Sequence, residues 1–228
     1  MNNSRNFYKW FYNNIHCHYY NILVKWCFLP FGGENKVRKM LLSNIDFKEE
    51  KKILDMCCGT GNTTFVIAKK CNVDTSIKGI DLSEGQIRIA RKNNKYSNID
   101  FQVANATDTP FPNNEFDKII IPHALHEMKR NVRLEVLTEA KRILKNEGTV
   151  IILEMDNPPK LLTRIFIGLI WFYWLPFNFE TPTRRDMLKH GLINELQETG
   201  FINVTKENIL DGIFQIVQGQ CLNYVHYT

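Results

Sequence analysis

The chain has 228 residues, 44% of them hydrophobic and 23% charged, which is enough apolar matter for a packed core and excludes a disordered polymer. Its formal charge of +5 is modest, and no basic cluster interleaved with aromatics appears outside the amino-terminal arm, so no nucleic-acid partner is expected. The six cysteines, Cys17, Cys27, Cys57, Cys58, Cys71 and Cys221, form no C-x-x-C pair and read as reduced thiols of a cytoplasmic protein.

Residues 1–45 form an amino-terminal stretch that is helical in pattern over 5–45 and crowded with aromatics, among them Phe7, Tyr8, Trp10, Phe11, Tyr19, Tyr20 and Trp26. They read as an arm ahead of a main domain over 46–228. The start has no continuous apolar run, so no signal peptide is expected. His16-Cys17-His18 carries metal-ligand side chains, but neighbouring residues seldom converge on one ion and no metal site is predicted. Pro30-Phe31-Gly32-Gly33 breaks the arm, and Glu34 to Asn44 forms one more helix. Core packing accounts for most of the aromatics; the sharper expectation is a lid over a bound ligand, through Tyr20.

The stretch Leu54-Asp55-Met56-Cys57-Cys58-Gly59-Thr60-Gly61-Asn62 is the one around which the rest of the chain is organised. A short apolar run precedes it and a helical pattern, Thr63 to Lys70, succeeds it. Strand, tight glycine turn and helix open a nucleotide-binding α/β unit, with the ligand at the carboxyl end of the strand. Gly59 and Gly61 remove side chains where the backbone turns and approaches a ligand. Ser76 to Asp81 is a second strand ending in a carboxylate, at the distance where such folds place a ribose-binding acid. Ser83-Glu84-Gly85-Gln86 is a capping box for the next helix. A nicotinamide site would prefer a third glycine where Thr64 stands, and it leaves Asp55 without a role.

A third strand, Ile99 to Ala104, runs into Asn105-Ala106-Thr107-Asp108, a polar turn suited to an adenine. Phe116 to Ile121 is the fourth strand and ends in Pro122-His123-Ala124-Leu125-His126-Glu127-Met128. Asn131 to Lys145 shows a helical stripe stopping at Gly148, and Thr149 to Glu154 is a central parallel strand. Residues 158–185 interrupt the alternation with an apolar segment containing Trp171, Phe172, Tyr173 and Trp174. A membrane span needs about twenty apolar residues, so this run reads as a buried helix, an interfacial helix or a hydrophobic wall over a substrate. A helix from Met187 to Thr199 precedes two alternating runs, Gly200 to Glu207 and Gly212 to Gly219, which close the sheet as an antiparallel hairpin.

The pattern D-x-x-x-G-x-G followed by an acid ending strand two resembles the class I S-adenosylmethionine-dependent methyltransferases. Over nearly the whole chain the resemblance is to their ubiquinone/menaquinone C-methyltransferase branch. Leu54 to Asn62 is similar to that branch's first motif, with Cys57 at a position where a non-glycine is tolerated, and Gly79-Ile80-Asp81-Leu82-Ser83 to its second. Asn105-Ala106 through Phe116-Asp117, Arg142 to Gly148, Leu153 to Pro158 and Gly212 to Gly219 resemble later motifs. Three departures stand out: Asn105 where Asp is usual, Asn21 in Tyr20-Asn21-Ile22 where a Tyr-Asp pair is usual, and the sequence His123 to Met128.

The resemblance implies a Rossmann-like α/β fold: a doubly wound, mostly parallel seven-stranded sheet with a closing antiparallel hairpin, an amino-terminal helical arm and a helical insertion after strand five. It implies S-adenosylmethionine as cofactor. Asp55 would hold the methionine end, Asp81 the ribose, and Asn105 with Ala106 the adenine, while Tyr20, Cys57, Gly59, Gly61 and Leu82 complete the set. His126 and His123 are the candidate general bases, because a histidine titrates near neutrality. Trp171 and Trp174 are expected to line the pocket of a hydrophobic acceptor, a prenylated quinone or related lipid first, with peripheral membrane contact; N- or O-methylation of another metabolite is the alternative. A NAD-dependent dehydrogenase and a non-catalytic cofactor-binding module remain the rival classes.

Overall fold

A computed structural model describes residues 28–173 and 181–222, without the side chains of Phe166, Ile170, Trp171, Phe172, Tyr173 and Thr181. The expectations for Tyr20, Asn21, His16-Cys17-His18 and Trp174 therefore lie outside the described residues, as does the Trp171 side chain. Two compact units are present, one ending at Asn105 and one beginning at Ala106.

In the first unit a 3-10 turn, Leu29–Phe31, leads through Gly32 and Gly33 into α1, Glu34–Leu41. Strand β1, Lys52–Met56, is followed by α2, Asn62–Ala68; β2, Ser76–Asp81, by α3, Glu84–Asn93; and β3, Ile99–Val103, completes the unit. β2 pairs in parallel with both β1 and β3. Ile53, Leu54, Met56, Ile77 and Ile80 are all fully buried, as strands covered on both faces require. The predicted capping box forms in part, with the Ser83 hydroxyl accepting from the Gln86 N–H and starting α3.

The second unit holds β4, Phe116–Pro122, a 3-10 turn at Leu125–Glu127, α4, Arg130–Ile143, and β5, Leu144–Met155. Next come α5, Leu161–Tyr173, α6, Thr181–His190, α7, Leu192–Glu198, β6, Ile202–Ile209, and β7, Phe214–Gln220. β4 and β5 are parallel; β7 runs antiparallel to β5, and β6 antiparallel to β7. The strand order is that of a seven-stranded sheet, β3-β2-β1-β4-β5-β7-β6. This is the mostly parallel, doubly wound fold with a closing hairpin that the sequence implied.

Two element boundaries differ from the sequence reading. The helix expected from Met187 to Thr199 is two helices, because Gly191 adopts φ 78 and ends α6 before α7 begins. The helix expected to reach Lys145 ends at Ile143, where Leu144 is already extended and opens β5. Residues 144–148 are drawn into pairing instead: Leu144 registers with Phe116, and Glu147 and Gly148 exchange backbone hydrogen bonds with Cys221.

A buried cation ties the helices of this unit together. Arg133 on α4 is wholly buried and donates to both oxygens of Glu195 on α7, to Asp186 on α6 at 2.8 Å and to the Met128 carbonyl at 2.8 Å.

Candidate functional site

β1 ends at Met56, and Cys57 turns the chain with φ 66, a left-handed conformation that costs a side-chain-bearing residue about 1–2 kcal/mol. The Cys58 N–H then donates to the Ile80 carbonyl at 2.8 Å and the Gly61 N–H to the Cys58 carbonyl at 3.0 Å, closing a tight loop against β2. Gly59 and Gly61 both have positive φ, for different reasons. A β-carbon on Gly61 would meet the Phe101 ring at 2.8 Å, so packing forbids it, whereas beside Gly59 the space within 4 Å is open. Gly59 therefore presents bare backbone to a ligand.

Asp81 fixes that backbone. Its Oδ2 accepts from the Gly59 N–H at 2.9 Å and its Oδ1 from the Ser83 N–H at 2.9 Å. Burial pushes its carboxyl above the ordinary aspartate range, while the two backbone donors pull the other way. Each oxygen of a carboxylate offers more than one acceptor direction, so the same group can hold the turn and take ribose hydroxyls. Leu82, beside it, is 65% exposed, and Val103 at the end of β3 is 45% exposed. Both are apolar side chains at strand carboxyl ends. Asn105 is exposed and Ala106 is buried.

Asp55 is the unusual group of the first unit. It is fully buried, its Oδ2 accepts from the Thr64 hydroxyl at 2.6 Å, and its Oδ1 has no hydrogen-bond partner among the described residues. Burial pushes its pKa up to about 7, against the Thr64 hydrogen bond and the Arg38 guanidinium, with Asp81 adding to the rise. A buried acceptor left without a donor is costly, by about 1–3 kcal/mol and more when charged. Arg38 belongs to a second layer: its Nε donates to Glu34 at 2.8 Å, its Nη1 to the Thr63 hydroxyl, and Glu34 also accepts from Asn62 at 2.8 Å. α1 is thereby tied to the first turn of α2.

In the second unit, both predicted histidines are buried just past β4. His123 takes φ 50 and donates its backbone N–H to the Leu153 carbonyl at 2.7 Å. His126 lies in the 3-10 turn with its Nδ1 2.9 Å from Oε1 of Glu154, the penultimate residue of β5. His123 Nδ1 is 3.9 Å from the same oxygen. Glu154 is fully buried and also accepts from the Met155 N–H at 2.8 Å and the His126 N–H at 3.3 Å. Burial pushes its carboxyl up, but the His126 ring outweighs this together with His123 and the Met155 donor, and the net effect is a lowered pKa.

Residues 53–148 match the family model of a methyltransferase domain. The chain is 26% identical over 206 residues to an uncharacterised methyltransferase of Synechocystis, covering 88% of this chain and 90% of that protein. It is 29% identical over 208 residues to a demethylmenaquinone methyltransferase of Staphylococcus aureus, covering 81% and 82%. Against a demethylmenaquinone methyltransferase of Bacillus licheniformis it is 34% identical over 157 residues, spanning 68% of this chain and 63% of that one. The fold is similar to phosphoethanolamine N-methyltransferase 2 of Haemonchus contortus in complex with S-adenosyl-L-methionine, with a TM-score of 0.62 at 15% identity over 89% of this chain and 56% of the other. The chain carries a methyltransferase domain and is an S-adenosylmethionine-dependent methyltransferase.

The methyltransferase turn fits its cofactor on its own geometry. A sulfonium amino acid brings an ammonium group, and the buried oxygen of Asp55, without a partner among the described residues, fits as an acceptor for such a cation. Gly59 leaves room, and Asp81 is held at the end of β2. Sequence reasoning missed three participants. Thr64 counted only as an absent glycine, yet its hydroxyl holds Asp55. Arg38 and Glu154 act across long stretches of chain, and no local spacing marks them.

Proposed function

We propose that this methyltransferase acts on a hydrophobic small molecule, with a reduced prenylated quinone as the first candidate acceptor. The observation that carries the reading is the similarity to demethylmenaquinone methyltransferases over 81% of the chain. Helix α5 supports it: Leu161, Leu162, Ile165 and Leu169 are 51–81% exposed, an apolar surface for an apolar acceptor. No described helix is long and apolar enough to cross a membrane.

Asp55 holds the methionine ammonium, Asp81 the ribose hydroxyls, and Asn105 and Ala106 the adenine; Cys57, Gly59, Gly61, Leu82 and Tyr20 complete the cofactor contacts. When bound, S-adenosylmethionine supplies an electrophilic methyl group, so the chain's own work is alignment and proton management. A phenolic oxygen or an aromatic carbon carries a proton that must leave as the methyl group arrives. His126 takes it, with His123 as the second candidate, and both stand past the carboxyl end of β4, the edge at which open α/β sheets bind their ligands. Trp171 and Trp174 line the acceptor pocket.

The test is the product mass after incubation with labelled cofactor and chemically reduced demethylmenaquinone, and in parallel a host lipid and metabolite extract. The double variant W171S/W174S should raise the acceptor KM at least tenfold, since a buried large aromatic contributes about 1.5–3 kcal/mol. Cofactor affinity should stay within twofold. Label appearing only in water-soluble products would overturn the lipophilic acceptor.

A further inference from the structure

Glu154 stands outside the expected site, yet its surroundings are those of a working group. Its carboxylate is fully buried and receives three donors from two chain segments: the His126 ring at 2.9 Å, the Met155 N–H at 2.8 Å and the His126 N–H at 3.3 Å. Two further groups lie near it. His123 Nδ1 is 3.9 Å away at the end of β4, and Arg184 on α6 is within electrostatic reach. α6 packs against the 3-10 turn that carries His126.

A buried carboxylate is an expensive way to bind two backbone N–H groups, which a glutamine oxygen would accept without the cost of a desolvated charge. The charge becomes useful only toward the imidazole. An ionised carboxylate can accept and cannot donate, so the His126 nitrogen facing it must carry a proton. That nitrogen is Nδ1, which leaves Nε2 of the neutral ring as the lone-pair nitrogen. Without the carboxylate the two tautomers of a histidine are close in energy.

We propose that Glu154 is a positioning residue for methyl transfer, holding His126 in the tautomer whose Nε2 accepts the acceptor's proton. This rests on the reading of His126 as the base. In the step, the acceptor's oxygen or carbon would commit an electron pair to the methyl carbon as the methyl–sulfonium bond breaks, with that bond's electron pair remaining on sulfur as a neutral thioether. The acceptor's proton passes to Nε2, and the positive charge arriving on the imidazole is neutralised by the carboxylate already at Nδ1. Acceptors therefore carry an ionisable O–H or an activated ring C–H, as hydroquinones and phenols do, and not a tertiary amine, which has no proton to lose.

The experiment is long-range nitrogen–proton NMR on the full chain with labelled histidine, the His126 signals being assigned by their loss in H126Q. In the wild type Nδ1 should be protonated and Nε2 bare. In E154Q the side-chain amide can donate to Nδ1, and the ring should move to the opposite tautomer or to a mixture. Replacing the carboxylate that orients a catalytic histidine in serine proteases lowers kcat about 10,000-fold by this route. Here, with chemically reduced demethylmenaquinone as acceptor, kcat of E154Q should fall roughly 100- to 10,000-fold while cofactor affinity changes less than threefold, and E154D should recover part of the loss.

The double variant E154Q/H126Q should be no slower than H126Q alone. If E154Q does not fold, E154A supplies the NMR comparison without a carboxylate. An unchanged His126 tautomer in folded E154Q or E154A, or losses that multiply in the double variant, would overturn the role of Glu154. Absence of turnover with the hydroquinone would sink the acceptor reading alone, since the tautomer is measured without any substrate.

Discussion

The two buried carboxylates near strand ends, Asp55 and Glu154, are equally hidden from solvent and differ in every other respect. Glu154 is surrounded by donors and its carboxyl is held below the ordinary range. Asp55 has the Thr64 hydroxyl as donor, one oxygen with no hydrogen-bond partner among the described residues, and a pKa pushed up to about 7. The described residues complete the first environment and leave the second open to a donor. The proposals above follow this difference: the completed group orients a neighbour, and the incomplete one binds.

The sharpest way to break this contrast is D55N. On the proposed reading it removes the anion that would face the cofactor's ammonium, and removing one partner of a buried charge pair costs about 3–5 kcal/mol. S-adenosylmethionine affinity should therefore fall at least about 100-fold by calorimetry. Without ligand the same variant should be more stable than the wild type at pH 8. The raised folded-state pKa means that the fold holds the proton more tightly than the unfolded chain does. Stability is then greatest in acid and is lost as pH rises from about 4 through about 7, by up to about 4 kcal/mol from a shift of this size. Cofactor binding needs the ionised group and runs the other way, weakening toward tenfold per pH unit below 7. Denaturant melts and calorimetry between pH 5.5 and 7.5 should show these opposite trends, and parallel trends would remove Asp55 from the site.

D81A tests a carboxylate of intermediate kind, half occupied by the protein and half available. A hydrogen bond to a charged group is worth about 1.5–3 kcal/mol, so affinity should drop about 10- to 150-fold. The loss should include a loosened Gly59, visible as faster exchange of its amide. Unaltered affinity would mean that Asp81 serves only the turn. The smallest effect is expected at Cys57, whose left-handed backbone favours glycine: C57G should raise stability by about 0.5–1 kcal/mol in chemical denaturation. A destabilised C57G would show that the thiol's packing outweighs the strain.

Periodicity and turn chemistry made most of the fold legible. β2 was readable because a short run with Ile77 and Ile80 ends in an acid ahead of a serine cap, and the closing hairpin because two strand-like runs, Gly200 to Glu207 and Gly212 to Gly219, come after the last helix. The broken helix at Gly191 was not, since an isolated glycine inside a helical stripe is often tolerated and only its φ of 78 decides. Asp55, Gly59, Gly61 and Asp81 were singled out because they stand at strand ends in one local stretch, and the structure places all four around the turn after β1 and the end of β2. Glu154 looked like the last residue of a strand; its partner is 28 residues away, and only the fold brings them to 2.9 Å. Thr64 was misjudged for a related reason: measured against a nicotinamide motif it is a missing glycine, measured against Asp55 it is a donor.

The knot around Arg133 bears on how such a chain diversifies. Its contacts fasten α4 to α6 and α7, and none of them comes from the described residues of α5. Residues 158–180 can thus lengthen, shorten or change composition over evolutionary time while the neighbouring helices stay anchored. On the proposed reading, in which this segment walls the acceptor pocket, a lineage can try new acceptors by rewriting it, and a laboratory can do the same by grafting insertions from related enzymes between β5 and α6, provided that Arg133, Asp186 and Glu195 are kept together.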